Sequence, residues 1–152
     1  MCNIRLGRED KGIVHMLKEL EALKQRYPGA QTFKCGDDAD LCERLLSLVR
    51  SGRKVATCSA LSDFQGGDPM PEIGRRDIAL NWDDTPALVI ETVELIHCRF
   101  DEVSEAMALA EGEDDSLEGW RAEHRKYFER NGGFSPAMEI IWERFALVED
   151  LG

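Results

Sequence analysis

The segment SGRKVATCS, Ser51 to Ser59, sets an amine and a hydroxyl three residues apart, Lys54 and Thr57, with no acid or histidine beside them. A threonine hydroxyl attacks a carbonyl only when a nearby base takes its proton. A lysine serves as that base once desolvation or a neighbouring cation pulls its pKa several units below about 10.4. Arg53 is such a neighbour in sequence. On a regular strand an odd spacing points two side chains to opposite faces. Gly52 therefore has to hold Lys54 in a turn just ahead of the strand that carries Thr57. Without that arrangement Lys54 reads as a solvated guard on a strand edge and Thr57 as a strand filler.

Other side chains compete for attention. Glu111, Glu113, Asp114 and Asp115 crowd the stretch EGEDD. Carboxylates can hold a divalent cation. This spacing is not that of an EF-hand and brings no histidine into sequence reach, so a solvated acidic loop is expected and no metal or other cofactor is indicated. His124 shares an apolar stripe with Leu117, Trp120, Tyr127 and Phe128, which reads as a packed, hydrogen-bonded histidine with a secondary claim on the site. Trp82, near a hairpin turn, is the better candidate for an exposed base-stacking platform, an interaction worth about 1–3 kcal/mol per base. Arg75 and Arg76 suit surface charge and phosphate contact equally.

These residues need elements to position them. Ile13, Met16, Leu17, Leu20 and Leu23 recur at helix spacing until YPGA stops the run. A second helix starts near GDDAD, lines Leu41, Cys42, Leu45, Leu48 and Val49 on one face, and ends at Gly52. KVATCSAL and RRDIALNW read as strands, with a loop between them. ALVIETVELIHCRF is the longest strand, placing Val89, Glu91, Val93 and Leu95 on one face and Ile90, Thr92, Glu94 and Ile96 on the other. Two short helices follow, one stopping at Gly112 and one starting at Asp115 with Glu118 in capping-box position. PAMEIIWERFALVED is a final strand with a bulge near Glu143. Strands that do not alternate strictly with helices indicate an α+β fold.

The bulk properties narrow the classes. A chain of 152 residues with 43% apolar and 32% charged content forms a single globular domain. The opening MCNIRLGRED carries charges of both signs and no apolar core, unlike a signal peptide, and no run is long enough to span a membrane. Five cysteines, Cys2, Cys35, Cys42, Cys58 and Cys98, form no CxxC pair, so reduced thiols in the cytoplasm are expected. A net charge of −11 argues against broad non-specific binding to nucleic acid. It leaves room for a local basic site around Arg53 and Lys54 or around Arg121 and Arg125.

The order of the blocks LLSLVRSGRKVATCS, PEIGRRDIAL, ALVIETVEL, AEGEDDSLEGWRAEH and ERFALVED resembles the ASCH domain family over roughly Phe33 to Asp150. The resemblance implies a PUA-like small β-barrel with helices packed around the barrel mouth. Residues 31–152 would form this domain and residues 1–30 a helical extension packed on it. It also implies an RNA association and one of two hydrolytic activities, RNA cleavage or removal of an acetyl group from acetylcytidine. Carried over onto GRKVAT and AEGEDDS, it assigns a catalytic set of Lys54, Thr57 and Glu113. Glu113 would protonate a leaving amine or orient a water, as a general acid–base does. Arg53, Arg121, His124 and Trp82 are the accompanying candidates for holding substrate or phosphate. The partner expected is RNA or a modified nucleoside, not a membrane. A non-catalytic RNA-binding module is the alternative, and nothing in the sequence sets the oligomeric state.

Overall fold

The computed structural model describes residues 8–152, so the start of the expected N-terminal extension lies outside the described residues. In chain order the elements are α1 (Arg8–Arg26), β1 (Thr32–Lys34), α2 (Ala39–Arg50), β2 (Ala56–Ala60) and α3 (Leu61–Gln65). There follow β3 (Arg76–Leu80), β4 (Pro86–Arg99), a 3-10 turn at Phe100–Glu102, α4 (Glu105–Ala110), α5 (Leu117–Arg130) and β5 (Glu139–Asp150). The strands make one mixed sheet in the order β1-β3-β4-β5-β2. β1 runs parallel to β3 and every other pairing is antiparallel.

The fold is α+β, but the barrel expected from the family resemblance is open. Closure would require the edge strands β1 and β2 to pair, and each instead has a single neighbour, β3 and β5 respectively. The two edges are only three and five residues long. Such short edges carry few ladder bonds, and the space between them is left as a cavity.

Helices cover both faces of the sheet, so β4 buries consecutive residues in its first half. Val89 packs with Leu23 and Tyr27 from the α1 side, whereas Ile90 packs with Cys42, Leu46 and Val49 from α2. The strict alternation expected along β4 stops at Val93. Thr92 pairs with Phe145 and Glu94 with Arg144, which makes Val93 the extra residue of a bulge. Beyond it the faces exchange: Ile96 and Cys98 pack with Ile140 and Trp142 near α5, opposite to Ile90 and Thr92. The bulge expected near Glu143 thus lies in the partner strand, with a second extra residue at Val148 in β5.

Local signals explain most helix ends. The Asp38 carboxylate accepts from the Leu41 amide at 2.7 Å and caps α2. Gly52, with φ +81°, ends it as anticipated, its amide reaching the Val49 carbonyl. The second C-terminal helix is capped by Ser116, whose hydroxyl accepts from the Gly119 amide, and starts two residues after the expected Asp115. Glu118 is then one position short of a capping box.

Candidate active site

The stretch after α2 and the loop between α4 and α5 meet at very close range. The Val55 amide donates to the Ala110 carbonyl at 2.9 Å. Gly112, at φ +71°, lets the loop pass so near that a Cβ there would lie 2.2 Å from the Arg53 carbonyl oxygen. This approach brings Lys54 against Glu111 and Glu113.

Lys54 is not the solvated strand-edge guard that its bland reading predicted. It sits in the turn ahead of β2, as Gly52 suggested, and is 2% exposed. Its Nζ donates to Glu113 Oε2 at 2.9 Å and lies 3.7 Å from Glu111 Oε1. Burial pulls the ammonium down, but Glu111 and Glu113 outweigh that and hold its pKa above the ordinary lysine value. Two carboxylates face the lysine and Arg53 does not, an arrangement that favours the ammonium over the free amine a base requires. Arg53 turns outward, 3.9 Å from Asp115.

The acidic loop is solvated only at its far end, where Asp115 is fully exposed, and buried at its start. Glu111 is 1% exposed, one oxygen accepting from Trp120 Nε1 at 2.6 Å and the other 3.4 Å from His124 Nε2. Burial pushes its carboxyl up, while His124, Lys54 and Trp120 together bring it below the usual range. His124 is packed as anticipated, its ring stacked on Trp120 and its Nδ1 2.9 Å from the Trp120 carbonyl. Burial lowers the imidazole pKa, but Glu111 and Glu113 raise it by more. Opposed shifts of this kind make stability depend on pH from both sides. Glu111 contributes fully above the unfolded carboxylate value of about 4.3 and loses its contribution as pH falls through its lowered folded value. His124 contributes fully below about 6.5 and fades as pH rises through its raised folded value. Thermal unfolding followed by circular dichroism should therefore give a steep acid limb and a shallower one above neutrality. His124→Gln should abolish the second and also weaken the first, because His124 helps to lower the Glu111 pKa.

A cavity of about 420 Å³ opens beside this cluster, lined by Thr57, Cys58, Glu111, Glu113, His124 and Glu143 among others. Both sheet edges and α2 contribute to its wall. Lys54 stands behind the wall, touching it through Glu113. Burial, reinforced by Glu111, pushes the Cys58 thiol well up, and burial takes Cys35 to about 11. Both thiols are therefore protonated at neutral pH.

Cys58, Glu111 and His124 present ligand atoms within 4.8 Å of one another, a trio that could meet a metal ion. The donor set does not suit one. The Lys54 ammonium already lies 3.7 Å from the shared carboxylate, and that carboxylate is bonded to Trp120. A second cation would meet a like charge in a buried site.

The structure brings Lys54, Thr57, Glu113 and His124 to one place. It does not bring Arg53, Arg121 or Trp82 there. Arg121 borders a second hollow with Phe100, Arg125 and Phe134, and Trp82 is half exposed in the β3–β4 turn with the Lys34 ammonium over its ring. Sequence reasoning passed over a role for Glu143, whose carboxylate accepts from the Thr92 hydroxyl at 2.5 Å, and over Asp77, which pairs with Arg75 at the cavity edge. A lone glutamate inside the apolar run IIWERF was the available signal.

With this fold and site in view, the family assignment follows. The chain belongs to the ASCH domain family, an RNA-associated family whose model matches residues 31–149. The crystal structure of an ASCH domain from Lactobacillus crispatus JV V101 is 28% identical, with a TM-score of 0.73, covering 88% of this chain and 92% of that one. A protein of Enterococcus faecalis V583 is 27% identical, with a TM-score of 0.76 and coverage of 90% and 89%. No curated protein matches the chain. Among the described residues no helix is long and apolar enough to cross a membrane.

Proposed function

We propose that this protein is a cytoplasmic amidohydrolase acting on a modified nucleoside, one acylated on its exocyclic amine, within the Thr57 cavity. Residues 31–152 would form the working domain and α1 an extension that packs on the sheet through Leu23 and Tyr27. The observation that carries the substrate class is the charge of the wall. Among the described residues it holds eight carboxylate side chains against four basic ones, Lys34, Arg44, Arg75 and Arg130. Those four are already engaged, by Asp84, the Glu113 carbonyl, Asp77 and Asp37 respectively. An RNA phosphodiester would meet repulsion and no uncommitted cation. A neutral base brings amine and amide donors that suit carboxylate acceptors, and Tyr127, Phe33 and Phe64 offer apolar surface for its ring.

In this reading Thr57 is the nucleophile. Glu113, fixed by Lys54, orients the leaving amine or the attacking water, and Lys54 is the positioning charge behind it. Four free cysteines among the described residues agree with a reducing compartment. The test incubates purified protein with acetylcytidine and with a short single-stranded RNA, then separates the products. Acetate release without strand scission is expected. Glu113→Gln should lower kcat by about 10²–10⁴ while nucleoside binding persists. Salt-sensitive RNA binding with no product would instead indicate a binding module.

A further inference from the structure

Thr57 needs a proton acceptor, and Lys54 is engaged elsewhere, its Nζ 2.9 Å from Glu113 and 3.7 Å from Glu111. The strand register offers another. Thr57 pairs directly with Glu143 across β2 and β5, so the two side chains leave the same face with Cβ atoms about 4.5–5.5 Å apart. Both line the cavity. The Val93 bulge turns Thr92 onto Glu143, and the Thr92 hydroxyl occupies Oε1 at 2.5 Å. Among the described residues no donor is bonded to Oε2.

The surroundings of Glu143 do not neutralise it. From β3, Arg75 is committed to Asp77 at 2.8 Å, and just beyond β1 Cys35 is a half-buried, protonated thiol with Lys54 and Glu113 beyond it. Burial pushes the Glu143 carboxyl up and Asp77 adds to this, against the Thr92 bond and Arg75, leaving it above the ordinary carboxylate range. Even a half-buried carboxylate without an ion-pair partner is costly for a fold. It suits a group that exchanges protons near the working pH.

We infer that Glu143 is the general base that takes the Thr57 hydroxyl proton as that oxygen attacks an acyl carbonyl. The inference rests on the nucleophilic role of Thr57 given above. As the Oγ–C bond forms, the proton passes to Glu143 and the carbonyl π pair moves onto oxygen. Collapse restores the C=O bond and breaks C–N, and the departing nitrogen takes the proton from Glu143. Water then attacks the acyl-threonine, giving one proton to Glu143 and releasing the acid as Oγ regains its hydrogen.

The test uses the full chain and p-nitrophenyl acetate, with the acetyl group located by mass spectrometry and its rate of appearance followed against pH. Wild type should acetylate Thr57 at a rate that rises through an ionisation above the ordinary glutamate range. Glu143→Gln, which keeps an acceptor for Thr92, should be slower by about 10²–10⁴ and independent of pH over that range. Glu143→Asp should recover part of the rate and keep the pH dependence. A wild-type rate and profile in folded Glu143→Gln would overturn the inference, as would the absence of label on Thr57 in wild type. Acetylcytidine run in parallel separates the two claims. Glu143-dependent labelling of Thr57 with no acetate release removes the nucleoside substrate and leaves the base. Acetate release that is equal in wild type and Glu143→Gln removes the base and leaves the substrate.

Discussion

Lys54→Met should lower the stability of the fold by about 3–5 kcal/mol at neutral pH, the range for removing one partner of a buried ion pair. The substitution leaves Glu111, 1% exposed, and Glu113 without their shared cation. His124, 3.4 Å from Glu111, compensates only in part. Two features identify the cause. The loss should shrink as pH falls and the two carboxyls take up protons. Adding Glu111→Gln should recover part of it, because the buried charge is then gone. Urea unfolding of the single and double variants measures both. A loss below about 1 kcal/mol, typical of exposed pairs, would mean that water reaches the cluster.

Gly112→Ala should be nearly as costly and acts on the same cluster through the backbone. The new Cβ would lie 2.2 Å from the Arg53 carbonyl oxygen and 2.9 Å from the Lys54 amide nitrogen. Neither is the end of a flexible side chain. Overpacking of this kind costs about 1–3 kcal/mol, and a left-handed φ adds about 1–2 for a residue with a Cβ. The loop must back away, taking Glu111 and Glu113 from Lys54. Melting temperature and acetate release should therefore fall together. Gly119→Ala is a useful comparison: the nearest atom to its Cβ would be the capping Ser116 Oγ at 3.1 Å, a side chain, so a smaller loss is expected.

How far these features were legible in the sequence depends on the range of the signal. Periodicity located α1, α2, β4 and α5, because each has enough turns or pleats to repeat an apolar pattern. β1, three residues long, repeats nothing and drew no assignment, and α3, five residues among loop-forming residues, fell almost wholly in a stretch read as loop. The GRKVAT and AEGEDDS blocks pointed to Lys54 and Glu113, which meet across 59 positions. The state of Lys54 was not legible, since its charge is decided by Glu111, which looked solvated and is buried beneath Trp120 and His124. Glu143 was missed for a related reason. Its neighbour Thr57 is set by strand register, and its partner Thr92 by a bulge one strand away.

The protonation state of Lys54 is the measurement on which the site's chemistry turns. Its side chain can be followed by ¹³C and ¹⁵N NMR in the intact protein from about pH 6 to about pH 10, below the ordinary lysine value of about 10.4. A single ammonium signal throughout, lost in Lys54→Met, is the predicted result. A proton leaving Lys54 within that interval would contradict it, and would restore the lysine as the base for Thr57.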